Sequence, residues 1–219
     1  SYGGYLSLNS LLTAQTPRSD AHDEMLLIIQ HQTSELWMRL VLHELHAARK
    51  TLQANNLRPA FKMLSRVARI FEQLNNAWDV LRTMTPSEYT SFRASLGQSS
   101  GFQSFQYRQI EFLLGNRNPA MLMPHAHRSA DHAVLSQELT QPSLYDVALQ
   151  QLAGSLPLPD HVLARDLGGP YTADDAVTAA WTKVYLPPDH YWELYELAEK
   201  LVDCEDYFCL LYTSDAADE

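Results

Sequence analysis

The chain has 219 residues and a formal net charge of −10, with 46% hydrophobic and 19% charged residues. That length holds one large domain or two small ones, and the composition excludes a disordered chain. The excess of Asp+Glu (26) over Lys+Arg (16) disfavours a general nucleic-acid or anionic-membrane surface and leaves a small-molecule site open.

In chain order, the N-terminus Ser1-Tyr2-Gly3-Gly4 has neither a basic nor an apolar region, so no signal peptide is expected, and without Met at position 1 the natural start is expected upstream. Asp20 is a candidate N-cap, with Asp23 and Glu24 in the first turn, for a helix running to Ala48 or beyond. Leu27, His31, Ser34, Met38, Val41, Leu42 and Leu45 share one face of it, and Met25, Ile29, Leu36 and Leu40 the opposite one. A helix apolar on two faces is expected to be central and buried. Pro59 suits the first position of a second helix ending near Thr83, with Val67, Ile70, Phe71, Leu74, Trp78 and Leu81 as its stripe.

Thr85-Pro86-Ser87-Glu88 is a capping box with Pro at N1, predicting a short helix that carries Tyr89 and Arg93. A loop at 97–101 precedes a helix from about Phe102 to Leu114, ended by Gly115-Asn116. A Pro- and His-containing connection, Asn118 to His127, leads to helices near Ala130–Leu139 and Ser143–Ala153. Gly154 to Pro170 reads as irregular, and two helices close the chain near Ala173–Val184 and Pro188–Phe208. There is no internal repeat, no strand alternation and no apolar run near the ~20 residues of a membrane span. The fold class is therefore all-α, with helices packed around a core or a pocket. Cys204 and Cys209 are spaced C-x4-C, neither a redox nor a zinc motif, and are expected to be reduced in a cytoplasmic protein.

Several residues could carry chemistry. His31, on an apolar face, is either a satisfied core histidine or an imidazole facing a pocket. Tyr89 and Arg93, four apart, project from one side of a helix, and arginine is the usual grip on a carboxylate. Tyr2, Gly3, Gly4 and Tyr5 could form a flap. His125-x-His127 with Asp131-His132 could suggest zinc or iron, although no further ligand stands at a known spacing.

Taken together, these segments resemble the tryptophan 2,3-dioxygenase family. The resemblance rests on Tyr2-Gly3-Gly4-Tyr5-Leu6, His22-Asp23-Glu24-Met25 and the ten-residue string from Ile28 to Trp37. It continues through Thr85 to Tyr89 with Phe92-Arg93, then Ser99-Ser100-Gly101-Phe102-Gln103-Ser104, Tyr107-Arg108 and Glu111 to Asn116, and covers roughly 1–208. It implies an all-helical haem-dependent dioxygenase that cleaves the indole ring of L-tryptophan with O2. The product is N-formyl-L-kynurenine, at the first step of the kynurenine route. It also implies haem b, a homotetramer, and no nucleic-acid or membrane partner.

By resemblance, His31 is the distal histidine that meets the indole N–H. Leu27, Ile28, Ile29 and Gln30 join it in binding substrate, Arg93 pairs with the carboxylate, and Tyr89 stands beside it. Tyr2, Tyr5 and Leu6 line the pocket of a neighbouring subunit, while Trp78, Ser100 and Gly101 lie near the haem. Two positions depart from the pattern. Leu27 stands where a phenylalanine is expected, giving a roomier slot. Beyond Phe208 the family's W-R-x-x-H stretch is absent, and Asp215 stands where its proximal haem ligand is expected. Residues 209–219 are expected to be a non-native tail that does not continue the last helix, leaving no metal ligand in the chain and little turnover. Three rival readings are another indole or aryl oxygenase, a non-haem metal enzyme using His125, His127 and His132, and a catalytically dead helical protein without its proximal ligand.

Overall fold

The computed structural model describes residues 1–97, 99 and 101–216, excluding the side chains of Phe102 and residues 212–216. Every regular element among the described residues is helical. Two short N-terminal turns, α1 (Tyr2–Tyr5) and α2 (Leu8–Leu11), precede α3 (Glu24–Gln53) and α4 (Leu57–Leu81). Next come α5 (Pro86–Arg93), α6 (Phe105–Leu114), α7 (Ser129–Thr140), α8 (Leu144–Ala153), α9 (Asp160–Leu163), α10 (Asp175–Tyr185) and α11 (Trp192–Ala216).

The main core lies where α3, α4 and α11 meet, with α6 and α8 packed over it. Val41, Leu42, Leu45 and Leu52 of α3 meet Leu64, Val67, Phe71 and Leu74 of α4 in one buried cluster with Leu197, Phe208 and Leu211 of α11. The α4 stripe is thus buried from Val67 to Leu74, with Trp78 and Leu81 only half-buried toward its end, and α4 begins at Leu57, two residues before Pro59. The α3–α4 turn is short because Asn55 adopts a positive φ of 55°, which asparagine tolerates. A smaller cluster joins Leu149 and Leu152 of α8 to Val177, Ala180 and Val184 of α10.

Four expectations are corrected. First, α3 is not buried on both faces: Met25, Ile29 and Leu36 are 37%, 47% and 53% exposed, because no element among the described residues covers that face of its first turns. Second, Asp20 does not cap α3. Asp23 holds the N-cap position without a side-chain bond, while the Glu24 carboxylate accepts from the backbone N–H groups of Arg18 and Ser19 at 2.7 and 2.8 Å. Third, α6 starts at Phe105 after a 3₁₀ turn, Gly101–Gln103, since the Ser104 hydroxyl accepts from the Tyr107 N–H at 3.1 Å and sets the cap there. Fourth, α11 continues past Phe208 to Ala216 without a break. Leu211 falls three residues after Phe208 on the same stripe and is buried against the core.

The predicted capping box at Thr85 is formed, with Thr85 and Glu88 each holding the other's backbone N–H. A second box, Ser143 with Asp146, starts α8. Arg117 is a charged residue inside the fold, 1% exposed. It donates to the carbonyls of Phe112, Leu139, Leu167 and Gln141 at 2.7–3.1 Å, tying the ends of α6 and α7 to the 160s segment. Nearby, Arg49 reaches Glu138 and the Pro142 carbonyl, and Arg165 grips Asp146 at 2.6 Å.

Candidate active site

A cleft opens where the exposed first half of α3 leaves the core. Its space is about 530 Å³, open solvent included, and its walls come from four elements. The first is α3, which supplies Gln30, His31, Ser34, Glu35 and Met38; α4 adds Leu74 and Trp78, the α6 entry adds Gly101, Ser104 and Tyr107, and α11 adds Leu211. α11 is seated there by an aromatic stack of Tyr107 on Phe208 (centroids 5.3 Å) and by Asn75, which donates to the Tyr207 carbonyl at 2.9 Å. The result is a slot with apolar and aromatic walls and a few polar groups, the composition expected for a flat organic ligand.

His31 is held in one orientation. Its Nδ1 lies 2.9 Å from the Leu27 carbonyl, and a carbonyl only accepts, so the bond requires Nδ1 to carry the proton. With Nδ1 committed to that carbonyl, Nε2 is the ring nitrogen left to meet a ligand in the cleft. Trp78 meets the ring edge-on, with centroids 6.5 Å apart and planes at 85°. Gln30 is 8% exposed, and its Nε2 is buried without a hydrogen-bond partner, so it brings amide donors to the same place. Burial pushes the Cys204 thiol up to about 12, which makes it inert as a nucleophile.

The structure thus brings His31, Gln30, Trp78 and Gly101 together at one cleft. Leu27 serves it through its backbone carbonyl, and Ile28 and Ile29 belong to the same helix without lining it. Tyr89 and Arg93 sit on α5 outside the lining. Tyr89 packs edge-on against the buried Phe92 at 5.6 Å, and Arg93 Nη1 donates to the Gly97 carbonyl at 3.1 Å. Tyr2, Tyr5 and Leu6 are exposed and do not line the cleft of their own chain. Ser100 lies outside the described residues. His125 is buried in a 3₁₀ segment, and no group of three metal-ligating side chains assembles among the described residues, so the non-haem metal reading has no geometric support.

Glu35, Ser34, Ser104, Tyr107 and Leu211 were not readable as site residues. Ser104 carried a usable signal as an N-cap. Glu35 and Leu211 reach the cleft through tertiary packing alone.

A family model described as tryptophan 2,3-dioxygenase matches residues 1–186. Among curated relatives, the tryptophan 2,3-dioxygenase of Ruegeria pomeroyi is 64% identical over 209 residues, covering 95% of this chain and 75% of the relative. Those of Bradyrhizobium diazoefficiens and Pseudomonas aeruginosa are 61% and 57% identical over 209 residues, covering 95% of this chain and 75% and 73% of the relatives. On these matches the chain belongs to the tryptophan 2,3-dioxygenase family.

Proposed function

We infer that the protein cleaves the indole ring of L-tryptophan with O2, giving N-formyl-L-kynurenine as the first step of tryptophan degradation. Among the features of the chain itself, the observation that carries this reading is the 2.9 Å contact of His31 Nδ1 with the Leu27 carbonyl on the wall of the cleft. An imidazole pinned through Nδ1 to the Leu27 carbonyl offers Nε2 to the indole N–H and holds the ring beside Trp78. The relatives' shared name favours this activity over a dead helical scaffold.

The cofactor we assign is haem b. Met38, Leu74, Trp78 and Tyr107 give the cleft an apolar lining beside Gly101, the chemistry that suits an apolar macrocycle. Trp78, Ser100 and Gly101 would hold its edge. Haem, when bound, supplies the activation of O2, while the protein positions the substrate. Residue 215 is Asp where the family resemblance would put a haem-ligating histidine, although α11 runs through this segment without a break.

The chain's own residues bind and orient. His31 accepts the indole N–H. Leu27 leaves the slot wider than a phenylalanine would. Arg93 would pair with the substrate carboxylate, exchanging the Gly97 carbonyl for a charged partner of about twice the strength. Tyr89 supports it. In a homotetramer, Tyr2, Tyr5 and Leu6 of one subunit cover the site of the next, which suits their exposure here. No helix among the described residues is long and apolar enough to cross a membrane. We assign the protein to the cytoplasm, where Cys204 and Cys209 would stay reduced.

The test compares tryptophan with 1-methyltryptophan, which lacks the indole N–H. Loss of one hydrogen bond predicts about a tenfold preference for tryptophan, and His31→Ala should abolish the preference. Equal turnover of both substrates by the unmodified protein would overturn the role of His31.

A further inference from the structure

Two walls of the cleft come from distant parts of the sequence, and one side chain ties them. Gln106 Nε2 donates to the Glu35 backbone carbonyl at 2.8 Å and to Glu35 Oε2 at 2.7 Å, across 71 residues. Glu35 lies one helical turn after His31, and both line the cleft. Gln106 sits in the first turn of α6 between Ser104, which caps the helix, and Tyr107. Those two neighbours form the opposite wall with Gly101.

The amide carries two N–H groups, and each is directed at a different acceptor of one residue. One bond fixes the backbone of α3, the other fixes the Glu35 side chain. A second link between α3 and α6 runs from Gln109 to His46 at 3.3 Å. His46 is fifteen residues beyond His31, or about 22 Å along the helix axis, so that link secures the packing without touching the cleft.

We propose that Gln106 is a positioning residue for tryptophan oxidation: by gripping Glu35 at two atoms it sets the separation between His31 and the Gly101–Ser104–Tyr107 wall, and with it the width of the slot that receives the indole ring. The proposal rests on the reading of this cleft as the tryptophan site. It assigns Gln106 no contact with the substrate. It acts through Glu35 and the α6 entry.

The test uses the full chain with Gln106→Ala, Gln106→Glu (similar in size, no donor) and Gln109→Ala, reading amide hydrogen exchange over 101–105 and the KM and kcat for tryptophan. Gln106→Ala and Gln106→Glu should each speed exchange over 101–105 about tenfold and raise KM about tenfold, with kcat changed less than about twofold. Gln109→Ala should lower the melting temperature while leaving both readouts unchanged. Pairing Gln106→Glu with Glu35→Gln restores a donor and an acceptor across the walls, and at least half of the KM loss should return. Exchange at the unmodified rate in Gln106→Ala and Gln106→Glu, or the same KM shift in Gln109→Ala, would overturn the proposal. Exchange is read without turnover, so absence of tryptophan oxidation in the unmodified protein would sink the functional reading and leave the clamp to be judged separately.

Discussion

Replacing Arg117 by Met should be among the most damaging single changes outside the cleft. The guanidinium is 1% exposed and has no carboxylate in direct contact; its partners are the carbonyls of Phe112, Leu139, Gln141 and Leu167. Burial pulls the group below the usual arginine range, opposed by the charges of Asp146 and Glu138. Methionine fills most of the volume and donates nothing. Two buried and two part-buried carbonyls then lose their donors, at up to about 1–3 kcal/mol each, while relief of a buried cation returns several kcal/mol. The net loss is about 3–5 kcal/mol, in the range seen when a buried polar network is broken. At about 2–4 °C per kcal/mol for a chain of this size, the melting temperature falls by about 10 °C. Arg117→Lys keeps the charge but not the fork, and should recover less than half. Thermal unfolding followed by circular dichroism reads both variants. A drop under about 3 °C for Arg117→Met would refute the reasoning, as would equal recovery by lysine.

The remaining predictions concern pH and the two departures from the family. Burial pushes both His46 and His125 below the usual histidine value, so each stays neutral in the fold while the unfolded chain protonates. Stability is therefore full above pH ~6.5 and falls as the pH drops below it. His125→Gln should flatten that slope, and an unchanged slope in urea titrations at pH 5 and 7.5 would contradict it. Leu27→Phe should tighten tryptophan binding by filling the slot, so its KM should fall; an unchanged KM would remove Leu27 from the specificity argument. Asp215→His should raise haem affinity, read as a stoichiometric Soret band at lower haem excess; no change would show that position 215 is not the axial position.

Much of this was legible because it is local. The α4 stripe, the Thr85–Glu88 box and the Ser143 start depend on spacing within a few residues, and all are found. His31 stood out only through the motif around it. What the sequence hid is tertiary. Met25, Ile29 and Leu36 look like a second buried face, yet periodicity cannot say whether a partner element arrives. Nothing in the sequence marks Arg117 as buried, since its carbonyl partners lie up to 50 residues away. The Glu35–Gln106 bond and the place of Leu211 in the cleft have no sequence signal. The start of α6 falls at Phe105 rather than near Phe102, because the Ser104 cap decides it although Phe102 continues the apolar pattern.

The most direct test of the central claim is to incubate the full chain, supplied with haem, with L-tryptophan under ¹⁸O₂ and to analyse the rapidly quenched product by mass spectrometry. The account predicts N-formyl-L-kynurenine carrying two labelled oxygen atoms, with formation suppressed in His31→Ala. A product with one labelled atom, or no oxidation of tryptophan by the haem-loaded chain, would contradict it.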